Sequence, residues 1–237
     1  MAMIAMRTYI KEKFPCIWSI LRYIKRQQWR FGSMENKFTR IYRKHLWGGG
    51  YPESLSGSSS TLSRTNAIRE ELPNLMHQIN VKTFLDIPCG DFNWMKEVDL
   101  NVDMYMGADV VDELIWMNNE RFGSDKQKFV KLDITKSMLP QVDVIFCRDC
   151  FIHFSFSDIG RALKNIKESN SKYLMTTTFA CVSRNKDIVT AFDWRPLNFQ
   201  RAPFNFPVPI RMINEKSPVD GYYEKSLGLW RIADIIL

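Results

Sequence analysis

The chain has 237 residues, 45% hydrophobic and 25% charged, a length that suits one well-buried domain and a composition that excludes disordered, collagen-like and disulfide-scaffold classes. Its five cysteines (Cys16, Cys89, Cys147, Cys150, Cys181) are odd in number and irregularly spaced, and no cleavable signal sequence is evident, so the expected setting is a reducing, cytoplasmic one. The net charge of +7 is local: residues 1 to 32 carry Arg7, Lys11, Lys13, Arg22, Lys25, Arg26 and Arg30 against Glu12 alone, so no nucleic-acid groove is expected across the nearly neutral remainder.

In chain order, residues 1–33 form a basic segment interleaved with apolar residues, a leader ahead of a domain at 34–237. Its longest uncharged stretch, Phe14 to Leu21, is far short of the roughly 20 apolar residues that span a bilayer. It reads either as a helix packed on the domain or as a peripheral membrane contact, and Pro15 interrupts it in both cases. Met34 is a plausible alternative start. The glycine- and serine-rich stretch from Trp47 to Leu62 reads as a shaped loop, because a pure spacer has no need of Trp47, Tyr51 and Leu62. Beyond Ser63 the spacing of Ile68, Leu72, Leu75, Met76 and Ile79 predicts a helix, which Pro73 should kink or split in two.

From Val81 short apolar runs alternate with helix-like stretches, as in βαβ units with a parallel sheet. Strands are expected to end near Ile87, Val110, Ile134, Asp149 and Phe179, with two more near Arg211 to Asn214 and Leu227 to Ile232. Between the fourth and fifth, Ser155 and Asp158 form a capping box for a helix with Ile159, Leu163 and Ile166 on one face. The class predicted is α/β, a Rossmann-like, mostly parallel seven-stranded sheet with helices on both faces.

Ligands of such sheets bind outside the carboxyl ends of the strands. Asp86, Asp109 and Asp133 stand at three of those ends. Asp109, about 20 positions past the first turn, suits the hydroxyls of an adenosine ribose. Asp133, with Ile134 beside it, suits the adenine. The first turn, LDIPCGDFNW, offers only Gly90 and so lacks the glycines of a pyrophosphate cradle. Its carboxylates Asp86 and Asp91 would repel a pyrophosphate and attract an ammonium and a sulfonium, which favours S-adenosylmethionine (SAM) over a dinucleotide.

FLDIPCGDFNW, MGADV, LDIT and RDCFIHFSFSDI together resemble the motifs of class I SAM-dependent methyltransferases over about residues 40 to 237. WGGG, the serine-rich loop, TTTF, DWRPLN and SLGLW resemble more closely the small sugar O-methyltransferases of bacterial polysaccharides and of the capsid glycans of algal viruses, whose acceptors include rhamnose. Pro88 stands where the broader class has glycine, as is normal in that subgroup. The resemblance implies Asp86, Gly90 and Asp91 around the methionine half of SAM, Asp109 on the ribose and Asp133 and Ile134 at the adenine, with Pro88, Cys89 and Trp94 also in the cofactor site. Arg148, Trp47 and the turn Gly57, Ser58 and Ser59 complete the implied cofactor site. Trp194, Arg195, Asn198 and Trp230 are implied on the acceptor side. Trp194, Trp230 and Phe204 read equally as a sugar-stacking platform or as core.

A sugar hydroxyl needs a base beside the methyl group. His153, with an unperturbed pKa near 6.5, and Asp149 lie at the end of the fourth strand. Asp149 serves as base, as partner of the imidazole or as a metal ligand, and His153 reads alternatively as a core residue among Phe151, Phe154 and Phe156. No metal is expected, since Cys147 and Cys150 lack a second ligand pair and read as buried thiols. An RNA or protein methyltransferase, a non-catalytic SAM-binding partner and an interaction protein led by its basic segment are the competing readings.

Overall fold

The computed structural model describes residues 13–14, 32–47, 53–188, 193–216 and 224–237. Most of the basic leader and part of the glycine-rich loop lie outside them. Among the described residues no helix is long and apolar enough to cross a membrane.

Helix α1 (Met34–Arg43) is capped by Ser33, whose Oγ accepts the Asn36 N–H at 3.1 Å. Glu35 in its first turn and Arg40 and Arg43 in its last complement the helix dipole. No expectation had covered this helix, although Met34, Phe38 and Ile41 are spaced for one face. Helix α2 (Asn66–Gln78) buries Ile68, Leu72, Leu75 and Met76 and runs unbroken through Pro73. The expected split does not occur, because the buried face holds the helix together against one missing hydrogen bond.

Seven strands follow: β1 (Thr83–Asp86), β2 (Met104–Asp109), β3 (Gln127–Lys131), β4 (Val144–Cys147), β5 (Tyr173–Phe179), β6 (Arg211–Asn214) and β7 (Lys225–Arg231). They form one sheet in the order β3-β2-β1-β4-β5-β7-β6, parallel except for β7, which is antiparallel to β5 and β6. β7 begins two residues earlier than expected, and that shift brings Lys225 into the ladder opposite Phe179. Helix α3 (Asp112–Phe122) joins β2 to β3, and α4 (Phe156–Glu168) joins β4 to β5. Between β1 and β2 there is only a 3-10 turn, Met95–Glu97, where a helix-like stretch was expected. Phe92, Trp94 and Met95 pack that connection into the core.

Side chains of successive strand residues point to opposite faces, and the core divides accordingly. Phe84, Val144 and Phe146 face the α2 side, whereas Leu85, Ile145 and Cys147 face the α4 side with Ile159, Leu163 and Ile166. Ser155 caps α4 by accepting the Asp158 N–H at 3.1 Å and donating its hydroxyl to the Asp158 carboxylate at 2.7 Å. The strand order reverses between β1 and β4, so their carboxyl ends part into a crevice, the usual ligand position in such sheets.

Candidate active site

Two adjoining cavities open at this crevice. The first, about 1040 Å³ with its mouth included, is of small-molecule size. Asp86, Pro88, Cys89 and Gly90 from the β1 end, Asp109 from the β2 end, and Asp133 and Ile134 past β3 line its floor. Trp94, Arg148, Asp149 and His153 line it as well, as do Met34, Phe38, Ile41 and Tyr42 of α1. α1 is held there by Arg43 on Glu113, by Lys131 on Glu35 at 2.9 Å, and by the Tyr42 hydroxyl donating to Met117 Sδ at 3.4 Å.

The floor is built from turns that need their residue types. Gly90 has φ +56°, and a Cβ there would collide with the Ser56 hydroxyl. Its N–H donates to Asp109 Oδ2 at 3.2 Å, and its carbonyl accepts from Asn118 Nδ2 at 2.9 Å. Asp109 Oδ1 accepts the Val111 N–H at 3.0 Å. Burial raises the Asp109 carboxyl to about 6 despite the hydrogen bonds from Val111, Gly90 and Val110. Burial also pushes Asp86 up to about 7, with the Tyr105 hydroxyl, which donates at 2.6 Å, pulling the other way and Asp109 adding repulsion. Two buried carboxyls held above their usual range on one cavity floor fit a ligand that brings positive charge and hydroxyl donors. Asp133 accepts from the N–H and hydroxyl of Thr135 at 2.9 and 2.6 Å, a local turn that still leaves the residue on the cavity wall.

Asp91 differs from expectation. It does not line the cavity; it clasps the serine loop, accepting from the Ser54 hydroxyl at 2.8 Å, the Leu55 N–H at 2.7 Å and the Ser56 hydroxyl at 3.0 Å. Its own N–H donates to Ser56 Oγ at 2.8 Å. With the Asn93 N–H at 3.4 Å, four donors reach this carboxylate and leave it little capacity for a ligand.

The second cavity, about 1070 Å³ with its mouth, shares Trp47, Ser56, Ser60, Asp149 and His153 with the first. Gly57, Ser58 and Ser59, expected at the cofactor, border only this second cavity, as do Arg64, Trp194 and Lys225. Of the four residues expected on the acceptor side, Trp194 alone reaches it. Arg195 is buried, its Nη1 donating to the Phe151 carbonyl at 2.7 Å and its Nε to the Lys186 carbonyl at 3.1 Å. Asn198 bridges the carbonyls of Ala180 and Val182 at 3.1 and 3.0 Å. Trp230 is fully buried with its indole N–H on the Pro207 carbonyl, and Phe204 packs against Phe156 and Phe199, so both are core.

His153 ends a 3-10 turn, Phe151–His153, and stacks on Trp47 with ring centroids 4.5 Å apart. Its Nδ1 lies 2.9 Å from the Asp193 carbonyl oxygen. A carbonyl only accepts, so Nδ1 carries the proton and Nε2 keeps a lone pair. Burial lowers the imidazole to about 4, against the opposing pull of the Asp193 carbonyl and the Asp149 charge. This is below the near-neutral value expected, and it keeps the ring uncharged at physiological pH.

Asp149 sits in the left-handed region at φ +52° with its N–H on Thr177 Oγ1 at 2.9 Å. Its Oδ2 lies 2.6 Å from Lys225 Nζ and 3.5 Å from Arg148 Nη1. Arg148 in turn pairs with Glu215 at 2.6 Å, and Lys225 reaches Glu215 at 3.1 Å. The result is a buried quartet of two cations and two anions. Burial works against ionisation of Asp149, but Lys225 and then Arg148 prevail and hold it well below the usual carboxylate range, which makes Asp149 a poor base. Arg148 Nη2 also donates to the Ser59 carbonyl at 3.0 Å, which ties the serine turn to the quartet. Glu215, Lys225, Tyr105, Asn118 and the α1 side chains had escaped sequence reasoning. Among the described residues no group of three His, Cys, Asp or Glu side chains is placed to hold a metal.

No family model and no curated protein matches the chain in sequence. Solved structures do match it in shape. The N-methyltransferase NodS from Bradyrhizobium japonicum WM9, in complex with S-adenosylhomocysteine (SAH), superposes with a TM-score of 0.57 at 12% identity over 81% of this chain and 97% of that one. Human N-acetylserotonin methyltransferase, in complex with SAM, gives 0.54 at 14% identity over 82% of this chain and 58% of its own. The methyltransferase domain of bacterial CtHen1 gives 0.53 at 13% identity over 72% and 98%. With its seven strands in this order and these neighbours, the chain has the Rossmann-like fold of the class I methyltransferases.

Proposed function

We propose that the protein is a SAM-dependent O-methyltransferase that acts on a sugar hydroxyl, with a deoxyhexose such as rhamnose in a glycan as its acceptor. The observation that carries this reading is the meeting of the two cavities at His153 and Asp149. One cavity has the raised carboxyls of Asp86 and Asp109 on its floor, the other a wall of serines and indoles, and an uncharged imidazole stands between them. When bound, SAM supplies a methyl group on a sulfonium, a leaving group that needs no acid.

The chain's own groups do the rest. Asp86 receives the ligand's positive charge, Asp109 accepts from the ribose hydroxyls, and Asp133 and Ile134 border the adenine. Phe38, Ile41 and Trp47 exclude water from above. His153 Nε2 takes the acceptor proton as the new C–O bond forms. An alcohol oxygen becomes strongly acidic once it has attacked, so a late proton transfer to a weak base suffices. Trp194 offers a face to the apolar side of a pyranose. The deoxyhexose itself rests on the resemblance of WGGG, TTTF and DWRPLN to the sugar-modifying subgroup. Incubation of candidate glycans with labelled SAM, read by mass spectrometry, should add one methyl to a glycan. Label found on RNA or protein instead would replace this acceptor class.

A further inference from the structure

We propose that Lys225 is an acceptor-binding residue whose ammonium donates to an oxygen adjacent to the hydroxyl being methylated, so that acceptors with vicinal oxygens are selected. The inference rests on the reading of the second cavity as an acceptor site and deepens it.

Lys225 opens β7 with its side chain 11% exposed, and it borders the second cavity but not the first. An ammonium has three N–H donors. One donates to Asp149 at 2.6 Å, Glu215 pairs with the charge at 3.1 Å, and no further acceptor is placed on the ammonium among the described residues. Arg148 alone leaves the two carboxylates one charge in excess, which Lys225 balances, but that balance accounts neither for the unused donor capacity of the ammonium nor for its place on the wall of the second cavity. The quartet therefore holds Nζ in place as a preorganised donor at the cavity wall, with the ordering of a long side chain already accomplished before an acceptor arrives. Asp149 and His153 border both cavities, so this donor stands beside the point where an acceptor hydroxyl meets the methyl group. A cation on the attacking oxygen would withdraw the electron density that the attack uses. The oxygen next to it has no such conflict.

The test uses the full-length protein, labelled SAM, methyl α-L-rhamnopyranoside and its monodeoxy derivatives, with SAH affinity measured in parallel by calorimetry. Removal of the hydroxyl next to the methylated one should lower kcat/KM by at least about 100-fold, the penalty of a site built to bond an oxygen that is missing. Lys225→Met should impose a loss of similar size on the parent glycoside, leave that deoxy derivative nearly unaffected, and leave SAH affinity unchanged. If the single variant does not fold, Glu215→Gln with Lys225→Met keeps the quartet neutral and should give the same pattern. Equal loss for every acceptor, or a tenfold weakening of SAH, overturns the inference while the methyltransferase reading stands. If SAH binds and none of the glycosides is methylated, the sugar acceptor and the role of Lys225 fall together.

Discussion

Proton release should accompany cofactor binding. Asp86 and Asp109 stand on one cavity floor with carboxyls raised to about 7 and about 6. A ligand that presents an ammonium and ribose hydroxyls needs both ionised, and the apparent dissociation constant scales inversely with the competent fraction. Between pH 7.5 and pH 5.5 the ionised fraction of a group with a pKa near 7 falls about 25-fold, or about 2 kcal/mol. Adding a second group near 6 brings the loss to about 100-fold. SAH is the suitable probe, since its ammonium stays charged over this range. Calorimetry in buffers of different ionisation enthalpy should show about 1.4 protons released per SAH at pH 6 and few at pH 8. The ligand-free protein should behave in the opposite sense. A folded pKa above the unfolded value of about 3.9 means the native state holds the extra proton, so its stability falls as pH rises from about 4 to 7. The SAH-induced rise in Tm should accordingly be larger at pH 7.5 than at 5.5. An affinity that varies less than about threefold over this window, with no proton release, would refute the placement of the ligand's charge on these carboxylates. Asp86→Asn should flatten most of the dependence.

Asp109→Ala should weaken SAM by about 1–3 kcal/mol, the cost of unmade buried hydrogen bonds, and unchanged affinity in calorimetry removes Asp109 from the ribose. His153→Ala should lower turnover by roughly 10²–10⁴ with SAM affinity little changed. Because burial lowers His153 to about 4, the wild-type rate should show no histidine step between pH 6 and 8, and a step near 6.5 abolished by that mutation would contradict the geometry. Deletion of residues 1–31 should leave fold and methyl transfer within a few fold. A chain beginning at Met34 also loses the Ser33 cap of α1, which should cost about 1 kcal/mol and weaken SAM, as thermal melts and calorimetry would reveal.

What was legible in the chain is what repeats locally. Most of the strands are short apolar runs, and every one of the seven expected has a counterpart in the sheet. Asp86 and Asp109 announce themselves by closing such runs, and Asp109 by its distance from the first turn. The misreadings have a common physical source: partners far apart in sequence. Asp91 looks like a ligand residue until Ser54 and Ser56, more than thirty residues earlier, occupy its oxygens. Trp230 and Asn198 look like acceptor contacts until the sheet and the Ala180–Asn185 turn enclose them. The quartet was invisible because Arg148 and Glu215 are 67 positions apart and Asp149 and Lys225 are 76 apart. α1 alone could have been read from its spacing and its serine cap.

That quartet also has a bearing on the order in which the chain matures during synthesis. Arg148 takes one partner 89 positions before it and another 67 positions after it. As the chain leaves the ribosome, β1 to β5 can assemble while Arg148 and Asp149 still lack Glu215 and Lys225. Arg148 and Asp149 offset each other's charge from the start, but the close partners of both arrive only with Glu215 and Lys225. A buried pair without its full set of hydrogen bonds is unfavourable, so the crevice should stay hydrated until those residues are in place. Closure of the two cavities should thereby come late in folding, and a polypeptide that stops short of β7 should keep an open, charged mouth instead of half a site.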